Sequence, residues 1–208
     1  MRFWWARPVD LSSWTVNRQV RGRKGGRYCL IESHEKPMLA VPYQFQRDNA
    51  GGNGWRECFS SSVAMLCMFH GRIRSDDAYI SLRRPHGDTT DASAHLRTVR
   101  GLGLLPTFSQ TWGRPTLEAS IRAGVPVAVG WLHHGTAAKP TGGGHWSVVI
   151  GTNARGPIMH DPYGEPDLVN GGHIIHRTGR AVQCSWQNWL PRWTVEGPGS
   201  GWVFTVRK

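Results

Sequence analysis

The chain has 208 residues, of which 39% are hydrophobic and 19% charged, so its size and composition are those of one globular domain with a sizeable core. This composition excludes a disordered chain, and a run of about 18 apolar residues, as a membrane span requires, is missing from the sequence. Its 25 Lys and Arg residues against 14 Asp and Glu residues give a net charge of +11, which predicts attraction to polyanions such as nucleic acid, anionic membranes and cell-wall polymers.

Residues 1–40 are predicted to form a basic N-terminal extension, and residues 41–208 the folded domain. The extension contains RGRKGGR at 21–27, which is typical of an exposed arm. Its first ten residues, MRFWWARPVD, lack the apolar stretch and the small-residue cleavage site of a signal peptide. We therefore expect a protein that is made soluble in the cytoplasm and works as a monomer.

The domain opens with VPYQFQ and a turn rich in glycine and asparagine, after which CFSSSVAMLCMFHG predicts a helix. Three serines cluster near its start, where a cap is expected, and Gly71 stands where such a helix ends. Cys58 therefore falls at the N-terminal edge of the helix.

Further along, two short helices are followed mainly by strands. The patterns predict helices over 91–102 and 115–123, and strands over 125–132, 145–152, 157–161 and 202–206. Helices first and strands later predict an α+β fold, with an N-terminal helix packed on a C-terminal antiparallel sheet.

The four cysteines (Cys29, Cys58, Cys67 and Cys184) have neither CxxC spacing nor the density of a disulfide scaffold, so we expect them to be reduced. A thiol attacks as its thiolate, which the unpaired N–H groups at a helix N-terminus stabilise. Cys58 is therefore the predicted nucleophile, although a small buried hydrophobe is the commoner role of a cysteine. Cys67, within the apolar run MLCMF, is interpreted as part of the core.

A thiolate nucleophile needs a histidine as its base and an acceptor that orients that histidine. His145 follows TGGG at the start of a predicted strand, and Asp161 ends the next strand. A hairpin centred on residue 153 would place the two residues opposite each other. The oxyanion also needs a preset donor, for which Gln46 or Gln44 are the candidates.

These segments resemble the C39-like branch of the papain-like cysteine peptidases over roughly residues 41–165. The likeness is carried by VPYQFQRDN, CFSSSVAM, AGVPVAVGW, GGHWSVVIGT and HDPYG. It implies a Cys-His-Asp triad of Cys58, His145 and Asp161, with Gln46 as the oxyanion glutamine and no cofactor or metal. The segment HDPYGEPDLVNGG and the tryptophan-rich tail are similar to phage lysis proteins, which implies a protein made in the host cytoplasm.

The basic charge and the 11 tryptophans favour bacterial peptidoglycan as the substrate, reached by export or by lysis of the cell. We expect Trp146 and Trp55 beside the cleft. One alternative is a non-catalytic C39-like module that binds anionic wall polymer or nucleic acid. The other is a metal hydrolase that uses histidines such as His133, His134, His160, His173 and His176.

Overall fold

The structure of the protein, a computed structural model, describes residues 38–208. Its five α-helices are α1 (Cys58–Phe69), α2 (Asp76–Arg83), α3 (Ala92–Gly101), α4 (Arg114–Arg122) and α5 (Trp186–Trp193). Its ten strands are β1 (Leu105–Trp112), β2 (Val127–Trp131), β3 (His134–Thr136), β4 (Lys139–Thr141), β5 (His145–Thr152), β6 (Pro157–His160), β7 (Glu165–Pro166), β8 (His173–Ile174), β9 (Val182–Gln183) and β10 (Gly201–Arg207).

Six of the strands form one antiparallel sheet in the order β1-β10-β2-β5-β6-β9. Two further hairpins, β3–β4 and β7–β8, stand apart from this sheet. Within residues 38–208 the helix α1 comes before the strands, and it packs on the sheet, so the predicted α+β architecture is confirmed.

Both faces of the sheet are covered, because its central strands send alternate side chains into two cores. Ala128 of β2 and Val148 of β5 join α1 in one core. Val129 and Val149 join α4 and α5 in the other. The sequences of these central strands are therefore nearly continuous apolar runs, and this pattern predicted them correctly.

The predicted helices and strands are found with small changes at their ends. The sequence patterns missed α2, α5, β1 and the short strands β3, β4, β7, β8 and β9. The serines of α1 are not its cap. Glu57 is the N-cap residue, and the three serines lie within α1 with their side chains fully buried against neighbouring elements. Ser61 Oγ donates to Asp76 Oδ2 over 2.6 Å, and Ser60 Oγ lies 2.8 Å from Thr89 Oγ1.

Residues 1–37 lie outside the described part of the chain, so the predicted extension, its boundary at residue 41 and the state of Cys29 stay predictions. Within residues 38–208, none of the helices combines the length and the apolar character that crossing a membrane requires.

The start of α1 is held by a buried ion pair. Arg83 Nη2 of α2 donates to both carboxylate oxygens of Glu57, at 3.1 and 3.2 Å, and the two side chains are only 4% and 7% exposed. Because Glu57 directly precedes Cys58, the pair fixes α2 against the position of the predicted nucleophile.

Replacing Arg83 with leucine is expected to lower the free energy of unfolding by about 3–5 kcal/mol, because the Glu57 carboxylate would be left buried without its partner. Urea denaturation measures the change. The double variant Arg83→Leu/Glu57→Gln should recover a large part of the loss, and a single variant as stable as the wild type would contradict this role.

Candidate active site

One cleft of about 880 Å³ opens over the N-terminus of α1 and one end of the central strands. Cys58 and Gln46 line it from the helical side, and His145 lines it from β5. Asp161 is fully buried directly behind His145. The fold thus brings together all four residues that the sequence analysis selected.

Cys58 is the first residue of α1 and is partly buried, so its thiol can be reached from the cleft. The backbone N–H groups of the first helical turn have no partners within the helix, and they favour a negative charge at this end. The other two described thiols, Cys67 and Cys184, lie in the two apolar cores. Burial raises the pKa of both, to about 12 for Cys67.

His145 and Asp161 form a buried ion pair. Nε2 of His145 lies 3.0 and 2.9 Å from the two carboxylate oxygens of Asp161. Burial lowers the pKa of His145, but the charge and hydrogen bond of Asp161, together with the adjoining Cys58 thiol, outweigh it and raise that pKa to about 10. With Nε2 engaged by Asp161, Nδ1 is the ring nitrogen left for the thiol.

Asp161 accepts further hydrogen bonds that the sequence analysis did not foresee. Ser147 Oγ donates to Oδ2 over 2.8 Å, and the backbone N–H of Tyr163 donates to Oδ1 over 2.9 Å. His173 Nε2 lies 3.3 Å from Oδ2. Burial raises the pKa of a carboxyl group, but His145 and His173 hold the pKa of Asp161 well below its usual range.

The pairing of β5 with β6 corrects the predicted hairpin. Val148 pairs with His160, so the register continues with Asp161 opposite Ser147, two residues from the predicted partner His145. A bulge between Val149 and Gly151 shifts the register. His145 and Ser147 share one face of the strand, and Asp161 therefore contacts both side chains.

Gln46 lies in a short 3-10 helix and is 1% exposed. Its Nε2 donates one hydrogen to the carbonyl of Gly54, which leaves the second hydrogen of the amide unassigned. Gln44, the other candidate, is turned away from the cleft: its Oε1 accepts from the backbone N–H of Asp76 at 3.0 Å, at the start of α2. Gln46 is therefore the glutamine of the cleft.

The family comparison decides the class of protein that carries this cleft. Residues 36–170 match the family model described as "Papain-like cysteine protease AvrRpt2". The chain belongs to this family. It is a cysteine peptidase, and the match contains Gln46, Cys58, His145 and Asp161.

Solved structures agree with this papain-like fold at low sequence identity. A putative C39-like peptidase from Bacillus anthracis has a TM-score of 0.54 and 14% identity, covering 82% of this chain and 97% of that chain. A double glycine motif protease from an AMS/PCAT transporter, solved with its leader peptide, has a TM-score of 0.51 and 14% identity over 82% and 93% of the two chains. The peptidase domain of Streptococcus ComA has a TM-score of 0.50 and 17% identity over 74% and 92%.

The predicted C39-like, papain-like fold is thereby confirmed. A search of the curated proteins gave no match to the peptidase.

Gly54 lies directly against the backbone of Gln46, and only a residue without a Cβ atom fits at this position. A Cβ atom on residue 54 would collide with the backbone oxygen of Gln46. We expect Gly54→Ala to displace the glutamine and to lower kcat/KM by about 10²-fold, as loss of an oxyanion donor does. Steady-state kinetics measure the effect. Gly101→Ala, in α3 with open space around the new Cβ, is the matched control, and equal activity of the two variants would exclude this role.

Three histidines, His133, His145 and His173, form a cluster at one end of the cleft, which we call the histidine cluster. The ring centroids of His133 lie 5.4 Å from His145 and 5.7 Å from His173, and those of His145 and His173 are 4.6 Å apart. Burial, followed by the charges of its three histidine neighbours, lowers the pKa of His133 to about 3.

The histidines proposed for a metal hydrolase are only partly brought together. His133, His134 and His173 line the cleft. His160 binds the backbone instead, with Nε2 2.9 Å from the oxygen of Val41, and His176 is exposed. His173 lies in β8, so the pair His173 and His176 does not share a helical face.

Aromatic side chains form the walls and the rim of the cleft, and the two predicted tryptophans are among them. Trp146 is buried and stacks on Phe59 with ring centroids 3.8 Å apart. Trp55 is 69% exposed, and Trp202 across the cleft is 46% exposed. The two exposed indoles give the cleft an apolar rim.

Proposed function

We propose that the peptidase hydrolyses peptide bonds through a triad in which Cys58 is the nucleophile, His145 the base and Asp161 the residue that orients His145. The observation that carries this proposal is the position of one imidazole, His145, which lines the same cleft as a thiol at a helix N-terminus and is hydrogen-bonded to a buried carboxylate. A catalytic triad requires this arrangement of groups.

In the first half of the reaction His145 Nδ1 takes the proton of the Cys58 thiol, and the sulfur attacks the carbonyl carbon of the scissile bond. The oxyanion that forms is stabilised by the backbone N–H of Cys58 and the second hydrogen of Gln46 Nε2. His145 Nδ1 gives its proton to the leaving amine, and an acyl-enzyme results. In the second half His145 takes a proton from water, and the oxygen of that water attacks the thioester. The C–S bond then breaks, the carboxylic acid product leaves, and His145 returns the proton to the sulfur.

Asp161 keeps Nε2 of His145 protonated, so that Nδ1 faces the sulfur. Ser147 and the backbone of Tyr163 hold the carboxylate in turn. Trp131 extends this support, because its indole N–H donates to Ser147 Oγ over 2.9 Å. The base is thereby oriented before a substrate arrives.

The proposed substrate is the peptide of bacterial peptidoglycan, cleaved by a monomeric enzyme of the phage lysis type that reaches the wall after export or lysis. The net charge of +11 favours anionic wall polymers, and the exposed indoles of Trp55 and Trp202 offer stacking faces for sugars at the rim of the cleft. One of the similar structures was solved with a leader peptide, which supports a peptide as the occupant of the cleft.

Mass spectrometry of digests tests both the reaction and the substrate. Purified cell walls and a library of unmodified peptides are incubated with the wild type and with Cys58→Ala. The proposal expects wall fragments that carry new peptide termini with the wild type alone. If the wild type cleaved library peptides but left the walls intact, the substrate would be a protein and not the cell wall. If the wild type and Cys58→Ala gave identical digests, the non-catalytic binding module would be favoured.

A further inference from the structure

The buried carboxylate behind the predicted base holds two histidine nitrogens rather than one. Nε2 of His145 and Nε2 of His173 lie 2.9 and 3.3 Å from the same oxygen, Oδ2 of Asp161. One ligand atom from each of these three residues lies within 4.8 Å of the other two. A triad needs only one of the two histidines, so its chemistry leaves His173 unexplained.

Two imidazoles and a carboxylate are donors that Zn²⁺ prefers, with bonds of about 2.0–2.2 Å. Ligand atoms around a tetrahedral ion then lie about 3.4 Å apart. The two spacings to Oδ2 of Asp161, 2.9 and 3.3 Å, are close to this value, and the two histidine nitrogens lie within 4.8 Å of each other. The side chains of His145, Asp161 and His173 are 5%, 0% and 3% exposed, and both histidines line the cleft, through which an ion can enter.

The third member of the histidine cluster supplies an independent observation. Nδ1 of His133 is buried without a hydrogen-bond partner among the described residues. Buried polar atoms of this kind are rare and call for an explanation such as an ion or a water molecule. The ring centroid of His133 lies 5.4 Å from that of His145 and 5.7 Å from that of His173, so this nitrogen belongs to a side chain directly beside the two histidines.

We propose that His145, Asp161 and His173 form a binding site for a divalent transition-metal ion, Zn²⁺ by ligand preference, which switches the peptidase off. The ion replaces the proton between His145 Nε2 and Asp161, and its positive charge makes Nδ1 of the same ring a weaker base for the Cys58 proton. The inhibitory effect rests on the proposed function, whereas metal binding does not.

Binding is tested with Co²⁺, whose visible absorption reports a tetrahedral site, in full-length Cys58→Ala protein, which excludes the sulfur as a ligand. One Co²⁺ per chain is expected, displaced by Zn²⁺. The double variant Cys58→Ala/His173→Gln keeps a hydrogen-bond donor toward Asp161 but lacks the imidazole of residue 173. The double variant Cys58→Ala/His145→Gln lacks the imidazole of residue 145. Each should weaken Co²⁺ binding at least about tenfold. His176→Gln, at an exposed histidine on the same segment, is the matched control and should bind as Cys58→Ala does.

Inhibition is tested on the wild type and on His173→Gln with Cys58 intact, each measured relative to its own activity in a metal chelator. Zn²⁺ should inhibit the wild type in the concentration range in which it displaces Co²⁺, and His173→Gln should require at least about tenfold more. Unchanged Co²⁺ binding in both glutamine variants would overturn the site, whatever the activity. Co²⁺ binding that depends on His173 in a chain without Cys58-dependent cleavage would retain the site and reject the peptidase triad.

Discussion

Replacing Cys58 with alanine is expected to lower kcat/KM for peptide-bond hydrolysis by a factor on the order of 10⁴ or more, because the atom that attacks the carbonyl is removed. The side chain is only partly buried at the edge of the core, so the fold should be retained. Kinetics on a peptide identified in the digests, together with circular dichroism, measure the two effects separately.

Cys67→Ala is the matched control for this prediction. Cys67 lies on the same helix but is fully buried in the core, so its loss should affect stability and leave kcat/KM close to that of the wild type. If Cys58→Ala retained activity while Cys67→Ala lost it, the assignment of the nucleophile would be wrong.

Replacing Asp161 with asparagine is expected to lower kcat by a factor on the order of 10⁴ with the shape of the cleft preserved. The asparagine lacks the negative charge that offsets the effect of burial on the pKa of His145. Its side chain also offers one acceptor oxygen, where the aspartate offers two, to the surrounding hydrogen-bond donors. His145 then loses both its preferred tautomer and its charge. The measurement is kcat as a function of pH, with Asp167→Asn, a half-buried aspartate of the next loop, as the control.

The same substitution should move the alkaline limb of the pH profile. In the wild type, Asp161 and Cys58 raise the pKa of His145 to about 10 against the effect of burial, so the protonated ring persists well above neutral pH. Without the carboxylate, burial dominates and the pKa of His145 falls, which should move the limb to lower pH by about 1–3 units. If kcat of Asp161→Asn were lower at every pH but its alkaline limb lay at the same pH as in the wild type, the ion pair would be contradicted.

The ion pair also makes stability depend on pH. The folded-state pKa of His145 is raised above its usual 6.5, so its contribution is fully present below about pH 6.5 and is lost as the pH rises toward 10. The pKa of Asp161 is lowered from 3.8, so its contribution is present above that value and is lost as the pH falls. The pair therefore stabilises the fold most between these two values.

Sequence patterns located the elements that carry the site because each has a strong local signal. α1 has an apolar run and a terminal glycine, and β5 is a β-branched run whose predicted bounds equal the observed ones. A nucleophile at a helix start and a histidine at a strand start could be recognised from these two elements. The substrate, in contrast, rests on charge and composition, which describe the surface of the cleft only in general terms.

The elements that were missed have weak or conflicting local signals. α5 contains Pro191, which usually ends a helix, yet its tryptophans are buried against the sheet. Arg192 of α5 is fully buried and donates to the backbone carbonyls of Leu132, His134 and Gly135, beside the cleft. Packing and long-range hydrogen bonds therefore decide the fold of this segment.

The contacts of Asp161 could not be predicted for a related reason. A shift of two residues in the hairpin register changes which side chains meet, and the bulge in β5 has no sequence signal of its own. Ser147 was within reach of prediction, since it lies two residues from His145 on the same strand face. His173 was not, because β8 belongs to a separate two-stranded sheet that only the tertiary fold brings to the carboxylate.

The rate at which iodoacetamide alkylates Cys58, followed by peptide mass spectrometry across the pH range, tests the pairing of the thiol with His145 most directly. We expect the wild type to react rapidly and with little pH dependence through the neutral range. His145→Ala should react at least about tenfold more slowly at pH 7 and accelerate only at the alkaline pH of an ordinary thiol. Equal rates and equal pH dependence in the two proteins would show that sulfur and imidazole do not act as a pair.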